Sequence, residues 1–484
     1  MPGGSSAGAA HLPRGLGSGG TFIMTDTSAG DNKSTGVDHP LRGAGMALGL
    51  LLAINLFNYV DRQVLAAVVP YLKSSLFGNG QTHGMEGVLG WCERHLGFKP
   101  ENALIGLLSM AFMVCYMVAA PLFGKLGARY SRWLIIGLAV MVWSLASGAS
   151  GLAVTFVGLL LTRCLVGIGE AAYGPVAPAL LSDYYPLKVR GRVLSIFYLA
   201  IPVGSALGYV LGEQVAKSGI GAWAAGWLGR ETESWRWAFY LVVLPGLALG
   251  AWAMTQREPL PITGAKKPKG AGMKDYLGFF RIPSFVYCTL GMAAMTFAIG
   301  GIGFWMPYYL EHLPGKPGSP TTIFGVLTVI SGLLATLAGG WAGDRLRERL
   351  PGSYFVVSGA AMLTGFPLFL LALYAGYPWI WPGIFLACFC LFFNTGPTNT
   401  ILANIAPPSL RPAAFALNIF IIHLLGDVIS PVIVGLVADR WSLRIGFLVV
   451  GVMFLVSGFL WLAGSRHLAR DTELAARVVG MSES

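Results

Sequence analysis

Asp61 and Arg62 stand side by side in the run Asn55-Leu-Phe-Asn58-Tyr-Val-Asp61-Arg62-Gln63, within an otherwise apolar stretch from about Met46 to Leu72. Roughly 20 apolar residues cross the hydrocarbon core of a bilayer, so this stretch is long enough to span one. A charge near the centre of such a helix costs about 2.5–3.5 kcal/mol, and residues kept there face the protein interior or a watery cavity and serve a function. The chemistry open to this pair is proton exchange at the carboxylate and anion binding at the guanidinium. Asp61 is the expected proton site. Arg62 is the expected substrate contact, and Asn58 of the same motif joins it.

A second polar group follows. Arg163 and Glu170 are seven residues apart, nearly two helical turns, and so share a face. Gly167 and Gly169 thin the wall between them. One reading is an internal ion pair that holds this part of the chain together. The other is a polar site at mid-membrane, with Arg62 as one pole and Glu170 as its neighbour. Asp61 and Glu170 near one arginine would titrate as a coupled group. A carboxylate that moves between a buried and a cation-paired setting can load and release a proton. Tyr173 follows Glu170 and is grouped with the substrate contacts.

Later candidates are milder. His423 and Asp427 are one turn apart and face the same way, as a structural pair or a gate. Asn394, Thr395, Thr398, Asn399 and Thr400 surround Gly396-Pro397, where proline frees a backbone carbonyl and kinks the helix. Trp305 and Tyr308 lie in a run with no charge until Glu311. One part of the chain therefore offers charge, the other aromatics and amides (Asn394, Asn399). A substrate with a polar head and a long apolar body fits that asymmetry, although aromatics also simply fill cores. Gly204, Gly208 and Gly212 recur every fourth residue, a ridge that lets helices approach closely. In a carrier that ridge would hold two halves together on one side.

These residues need an apolar scaffold, and the composition supplies it. The chain has 484 residues, 55% hydrophobic and 11% charged, against about 25% charged in soluble domains. The mean hydropathy is +0.65. Apolar runs fall at about 45–72, 102–124, 132–150, 153–182, 191–215 and 235–255. Six more fall at 284–311, 321–342, 353–375, 378–405, 412–438 and 442–463. The expected fold is an all-α membrane protein with twelve transmembrane helices in two pseudo-symmetric six-helix bundles, 41–255 and 284–464. A cytoplasmic linker (256–283) joins them. A disordered segment (1–40) precedes them and a polar cytoplasmic tail (465–484) follows. Part of Met1–Gly20 reads as a linker or misplaced start, with Met24 as an alternative start. The basic linker beside Tyr276-Leu-Gly-Phe-Phe280 reads as a solvated tether with secondary lipid contact.

Grouping Lys and Arg by loop puts 22 of the 33 on the side of both termini, nine opposite, and Arg62 and Arg163 inside spans. The bias places both termini in the cytoplasm. It also accounts for the net charge of +11 without nucleic acid. Five of the six cysteines fall in apolar runs and only Cys92 in a loop, so a disulfide set is not expected. No P-loop, HExxH or GxSxG elbow is present, which leaves a pump or membrane hydrolase unsupported. No metal, cofactor or catalytic residue is expected.

The two sets of six repeat weakly, as in transporters. Gly124, Gly127 and Arg129 align at a constant offset with Gly340, Gly343 and Arg345. Leu194-Ser-Ile-Phe197 aligns with Leu417-Asn-Ile-Phe420. With Gly340…Gly343-Asp344-Arg345…Arg349, the chain resembles the major facilitator superfamily. Within it the chain is similar to the Spinster family over about 45–463. The likeness rests on Asn58-Tyr-Val-Asp61-Arg62, on Thr162-Arg163-Cys-Leu-Val-Gly167-Ile-Gly169-Glu170-Ala-Ala-Tyr173, and on Arg192-Val-Leu-Ser195 through Pro202-Val-Gly204-Ser205. The resemblance implies proton-linked transport of lysophospholipids or sphingosine-1-phosphate-like lipids. It implies an acid–base role for Asp61 and substrate or coupling roles for Arg62 and Glu170. Arg163, Arg129, Asp344, Arg345, His423 and Asp427 are expected to gate or brace. Ala128 stands where the family usually has Asp, which implies a bias toward an inward-open state. The expected setting is a bacterial inner membrane, as a monomer. A carrier of small organic anions or drugs is the alternative, and a lipid-binding receptor that moves nothing is a third reading.

Overall fold

Each apolar run becomes a helix, and the interruptions fall where the sequence removes a backbone donor. The computed structural model describes residues 39–78, 85–127, 129–229, 232–259, 272–407 and 410–483. Among the described residues, twelve segments are long and apolar enough to cross a membrane. Spans 1–6 are Ala44–Phe77, Glu101–Leu126, Arg132–Leu152, Phe156–Tyr184, Val189–Lys217 and Ser234–Met254. Spans 7–12 are Pro283–Glu311, Pro320–Arg347, Ser353–Tyr374, Ile380–Ile405, Arg411–Arg440 and Leu443–Gly464. Span 4 is two helices, Phe156–Ala171 and Tyr173–Tyr184. Pro175 has no N–H to give the Ala171 carbonyl, so the ladder breaks there. Span 10 breaks likewise between Phe392 and Thr395, just before Gly396-Pro397. Span 11 passes through a π-helical turn at His423–Asp427.

Large apolar side chains fill the interior, with Trp133, Trp305 and Trp461 among the fully buried ones. Several polar atoms among them are paired, which offsets the cost of burying them. Trp305 donates Nε1–H to the Pro431 carbonyl (2.8 Å) and Ser457 donates to the Gly291 carbonyl (2.8 Å). The two halves meet along span 1 with span 7, span 2 with span 11, and span 5 with span 8.

Three expectations change. The glycine ridge of span 5 does not hold the halves together. It packs on span 1 of the same half: a Cβ at Gly204, Gly208 or Gly212 would meet Leu56 O at 2.6 Å, Val60 O at 2.5 Å or Ala67 Cβ at 2.5 Å. Gly208→Val should thus cost about 1–3 kcal/mol by overpacking. A lowered melting temperature of the purified protein checks this, and an unchanged one means that the contact is not tight. Second, Cys92 lies buried on a short helix, Glu86–Leu96, not in a loop. Third, the tail continues as a helix, Leu468–Glu483, whose Asp471 accepts the Ser284 N–H at the start of span 7 (2.9 Å). Its polar character hid an amphipathic docking face.

Most of segment 1–40, residues 260–271 of the basic linker (with Lys266, Lys267 and Lys269) and Ala128 lie outside the described residues. The inward bias drawn from Ala128 lies there too.

Candidate functional site

Span 1 presents Asp61 and Arg62 in different directions, because successive side chains are about 100° apart around a helix. Arg62 turns toward spans 2 and 4. Its Nε is 2.6 Å from Glu170 Oε2, in a pair whose side chains are 19% and 0% exposed. The guanidinium carbon sits 4.9 Å from the Tyr59 ring centroid, 5.1 Å from Phe112 and 5.0 Å from Tyr116. A cation over an aromatic face is held by the ring quadrupole, the more so away from water. Asn58 is buried close to the Glu170 carboxylate. The Asn58 Nδ2 and Glu170 Oε1 atoms are buried without a hydrogen-bond partner.

Local sequence explains why these parts converge. Tyr59 precedes Arg62 by three residues and shares its face. Gly167 lets span 2 settle onto span 4: a Cβ there would lie 2.2 Å from the Phe112 carbonyl oxygen. That contact brings Phe112, and Tyr116 one turn on, over Arg62.

Asp61 turns the other way, toward spans 3 and 6, and is 2% exposed. Ser147 donates a hydrogen bond to its Oδ1, and Oδ2 has no partner. A cavity of about 10 Å³ beside it is lined by Ile54, Phe57, Trp143, Ser144, Val242 and Gly246 among others. Arg163 lies on this side too. Its Nη2 donates to Ser150 Oγ (2.7 Å), which donates onward to Thr162 Oγ1 (2.9 Å), and its guanidinium sits 5.3 Å from the Phe239 ring. Among the described residues Arg163 makes no ion pair with Glu170; the carboxylate it approaches electrostatically first is Asp61. Arg62 pairs directly with Glu170, while Asp61 bonds to Ser147 and faces Arg163; Asp61 stays within electrostatic reach of both Arg62 and Glu170.

The other candidates lie elsewhere. Tyr173 is 3% exposed and donates to the Leu51 carbonyl (2.5 Å), so it packs the core next to Trp143 and Phe197. Trp305 is wholly buried. Tyr308 stacks near His312 and takes Lys73 over its ring at 5.5 Å. Asn394 is buried and donates to the Cys390 carbonyl (2.9 Å), and Asn399 is exposed and donates to Thr395 O (2.7 Å). Both amides serve their own kinked helix, so neither reaches the Arg62 group. His423 Nδ1 is 2.9 Å from Asp427 Oδ1, a local pair inside the π turn. Asp344 accepts from the Tyr354 hydroxyl (2.8 Å), while Arg129 and Arg345 are exposed.

Residues missed from the sequence are Tyr59, Phe112, Tyr116, Ser147 and Ser150. Two had a signal. Tyr59 lies within the motif, and Ser144, Ser147 and Ser150 recur every third residue on one face of span 3. Nothing local ties Phe112 and Tyr116 to Arg62.

Comparison with known proteins places this geometry. Residues 51–426 match the family described as Major Facilitator Superfamily. "Protein spinster homolog 3" of Danio rerio is 31% identical over 425 residues, covering 83% of this chain and 78% of that one. "Sphingosine-1-phosphate transporter SPNS2" of Xenopus tropicalis is 30% identical over 478 residues, covering 91% and 85%. "Protein spinster homolog 1" of Homo sapiens is 33% identical over 432 residues, covering 82% and 73%. In fold, the chain is similar to the crystal structure of a bacterial homolog of the human lysosomal transporter Spinster in an inward-facing, unoccupied conformation. The TM-score is 0.76 at 21% identity, covering 90% of this chain and 99% of that one. The inward-open Escherichia coli xylose transporter XylE shares the fold at a TM-score of 0.63 and 18% identity, covering 86% and 95%. With twelve spans in two six-helix halves and relatives that are transporters, not enzymes, this multi-pass membrane protein belongs to the Spinster family of the major facilitator superfamily.

Proposed function

We propose that the chain is a proton-coupled secondary transporter of amphipathic lipids, of the lysophospholipid or sphingosine-1-phosphate kind, working by alternating access. The observation that carries the reading is Arg62: a guanidinium within a membrane span, paired to a wholly buried Glu170, ringed by aromatics and itself part-exposed. A relative 30% identical is named a sphingosine-1-phosphate transporter, and such a substrate has an anionic head on an apolar body. The phosphate pairs with Arg62, which gives up Glu170 to do so. Asp61 carries the coupled proton, on the buried Oδ2 that no donor reaches. Ser147 fixes the carboxyl, and Arg163 on the same side favours proton release when it approaches. Glu170 is the second acidic member. The protein works as a monomer in the cell inner membrane, with both termini cytoplasmic.

The test is uptake of labelled lysophosphatidylcholine and sphingosine-1-phosphate into proteoliposomes under an imposed pH gradient. Uptake should follow the gradient. Asp61→Asn should move lipid only down its own gradient, losing the pH response. An Asp61→Asn protein with the parent's pH dependence would remove Asp61 from the mechanism. Inhibition by soluble sugar acids but not by lysolipids would select a small-anion carrier instead.

A further inference from the structure

Arg62 occupies a site built for a cation. The rings of Tyr59, Phe112 and Tyr116 stand about its guanidinium at 4.9–5.1 Å, and Glu170 closes the remaining side at 2.6 Å. Aromatic rings arranged as a cage are the recognised means of holding quaternary ammonium groups. Asn58, 3% exposed, stands beside the Glu170 carboxylate, itself 1% exposed, so the negative pole of the site is buried and held in place. Arg62, like Tyr59 and Tyr116, keeps part of its surface exposed, and its long unbranched side chain has the rotamers to turn away.

We infer that Tyr59, Phe112, Tyr116 and Glu170 form an ammonium subsite, filled by Arg62 when the protein is empty. The cationic group of a zwitterionic phospholipid head takes it over once Arg62 turns to the phosphate. This rests on the lipid-carrier reading and specifies its headgroup class. The argument is one of charge. When Arg62 leaves, Glu170 is a buried carboxylate with no counter-charge, an arrangement proteins do not tolerate cheaply. A choline head replaces the lost cation directly. A head with one phosphate charge and no cation cannot, so a proton must pass from water to Glu170. The headgroup therefore sets the proton count: none at Glu170 for the zwitterion, one for the simple anion.

The ionisable groups around Glu170 are Arg62, Tyr59 and Asp61 on span 1, Tyr116 on span 2, Arg163 on span 4 and Tyr198 on span 5. They are common to both lipids and cancel in a comparison of the two.

Lysophosphatidylcholine and lysophosphatidylglycerol of equal chain length are the matched probes, both phosphodiesters and differing in the cation. Their affinities for the full chain in nanodiscs are measured from acid to mildly alkaline pH. Lysophosphatidylglycerol affinity should fall more steeply with rising pH, by up to about tenfold more per unit. Phe112→Leu and Tyr116→Leu should weaken lysophosphatidylcholine about tenfold more than lysophosphatidylglycerol. The pH comparison uses the unaltered protein, so it does not depend on how well the variants fold. Equal pH slopes for the two lipids would overturn the subsite and leave the lipid carrier intact. Binding of neither lipid by monodisperse protein would overturn both.

Discussion

Arg62→Ala is expected to reduce lipid uptake to background and also to destabilise the protein. Both effects follow from one geometry. In the proposed mechanism the guanidinium is the positive pole for the substrate head, and in the structure it is the counter-charge of Glu170, whose side chain has no exposed surface. Removing one partner of a buried pair leaves an uncompensated charge, at a cost of about 3–5 kcal/mol. Glu170→Gln should cost less, because Arg62 keeps part of its surface and three rings. The double variant Arg62→Ala/Glu170→Gln should recover much of the stability lost by Arg62→Ala and none of the uptake. Thermal melts of all four proteins give the coupling, expected at about 2–3 kcal/mol. A double variant no more stable than Arg62→Ala would mean that the pair does not carry the energy assigned to it. Uptake by a folded Arg62→Ala protein would dismiss the headgroup role.

The scaffold was legible because membrane helices are written in the simplest code there is. Runs of apolar residues of the right length fixed all twelve spans, and ends differed from the structure by a few residues. Pro397 marked the break in span 10, since the missing donor acts locally, whereas the break before Pro175 in span 4 was not read from the sequence. The pairing of Arg62 with Glu170 was also within reach, because two opposite charges in separate membrane spans each need a partner. What the sequence withheld depends on helix rotation. Asp61 and Arg62 are neighbours in sequence and were read together. A turn of about 100° sends one to span 3 and the other to span 4. The cage residues Phe112 and Tyr116 look like any other apolar side chains of span 2. Only the contact at Gly167 decides that they cover a guanidinium. Asn394 and Asn399 show a local use that the sequence did not suggest. Amides beside a kink suggested a lined path, yet both bond to carbonyls of their own helix, the cheapest use of a polar side chain in lipid.

Glu213→Ala is expected to loosen two distant helix ends together, not only the one it touches. Glu213, late in span 5, accepts the N–H groups of Thr321 (3.3 Å) and Thr322 (2.6 Å) at the start of span 8. Asp439, late in span 11, accepts those of Asn102 (2.9 Å) and Ala103 (2.9 Å) at the start of span 2. Spans 5 and 11 hold equivalent places in the two halves, as do spans 2 and 8. Each half therefore caps a helix of the other, and both caps lie at the end remote from the start of span 1. Lys217 reinforces the first by bridging Glu213 (2.7 Å) to Glu311 (2.8 Å). First-turn N–H groups have no partner within their own helix, and a carboxylate there is favoured by the helix dipole. Each cap contributes about 1–2 kcal/mol. If the two act as one latch, opening the halves breaks both at once, and Glu213→Ala speeds amide exchange at Asn102 and Ala103 as well as at Thr321 and Thr322. Glu213→Ala/Asp439→Ala should then raise the opened population by roughly 30- to 1,000-fold, for about 2–4 kcal/mol. Hydrogen exchange resolved to these four amides separates the cases. Faster exchange confined to Thr321 and Thr322 would make Glu213 a local cap. Faster exchange at all four would make the two carboxylates one gate, with alternating access governed at this end by charges placed on helix ends.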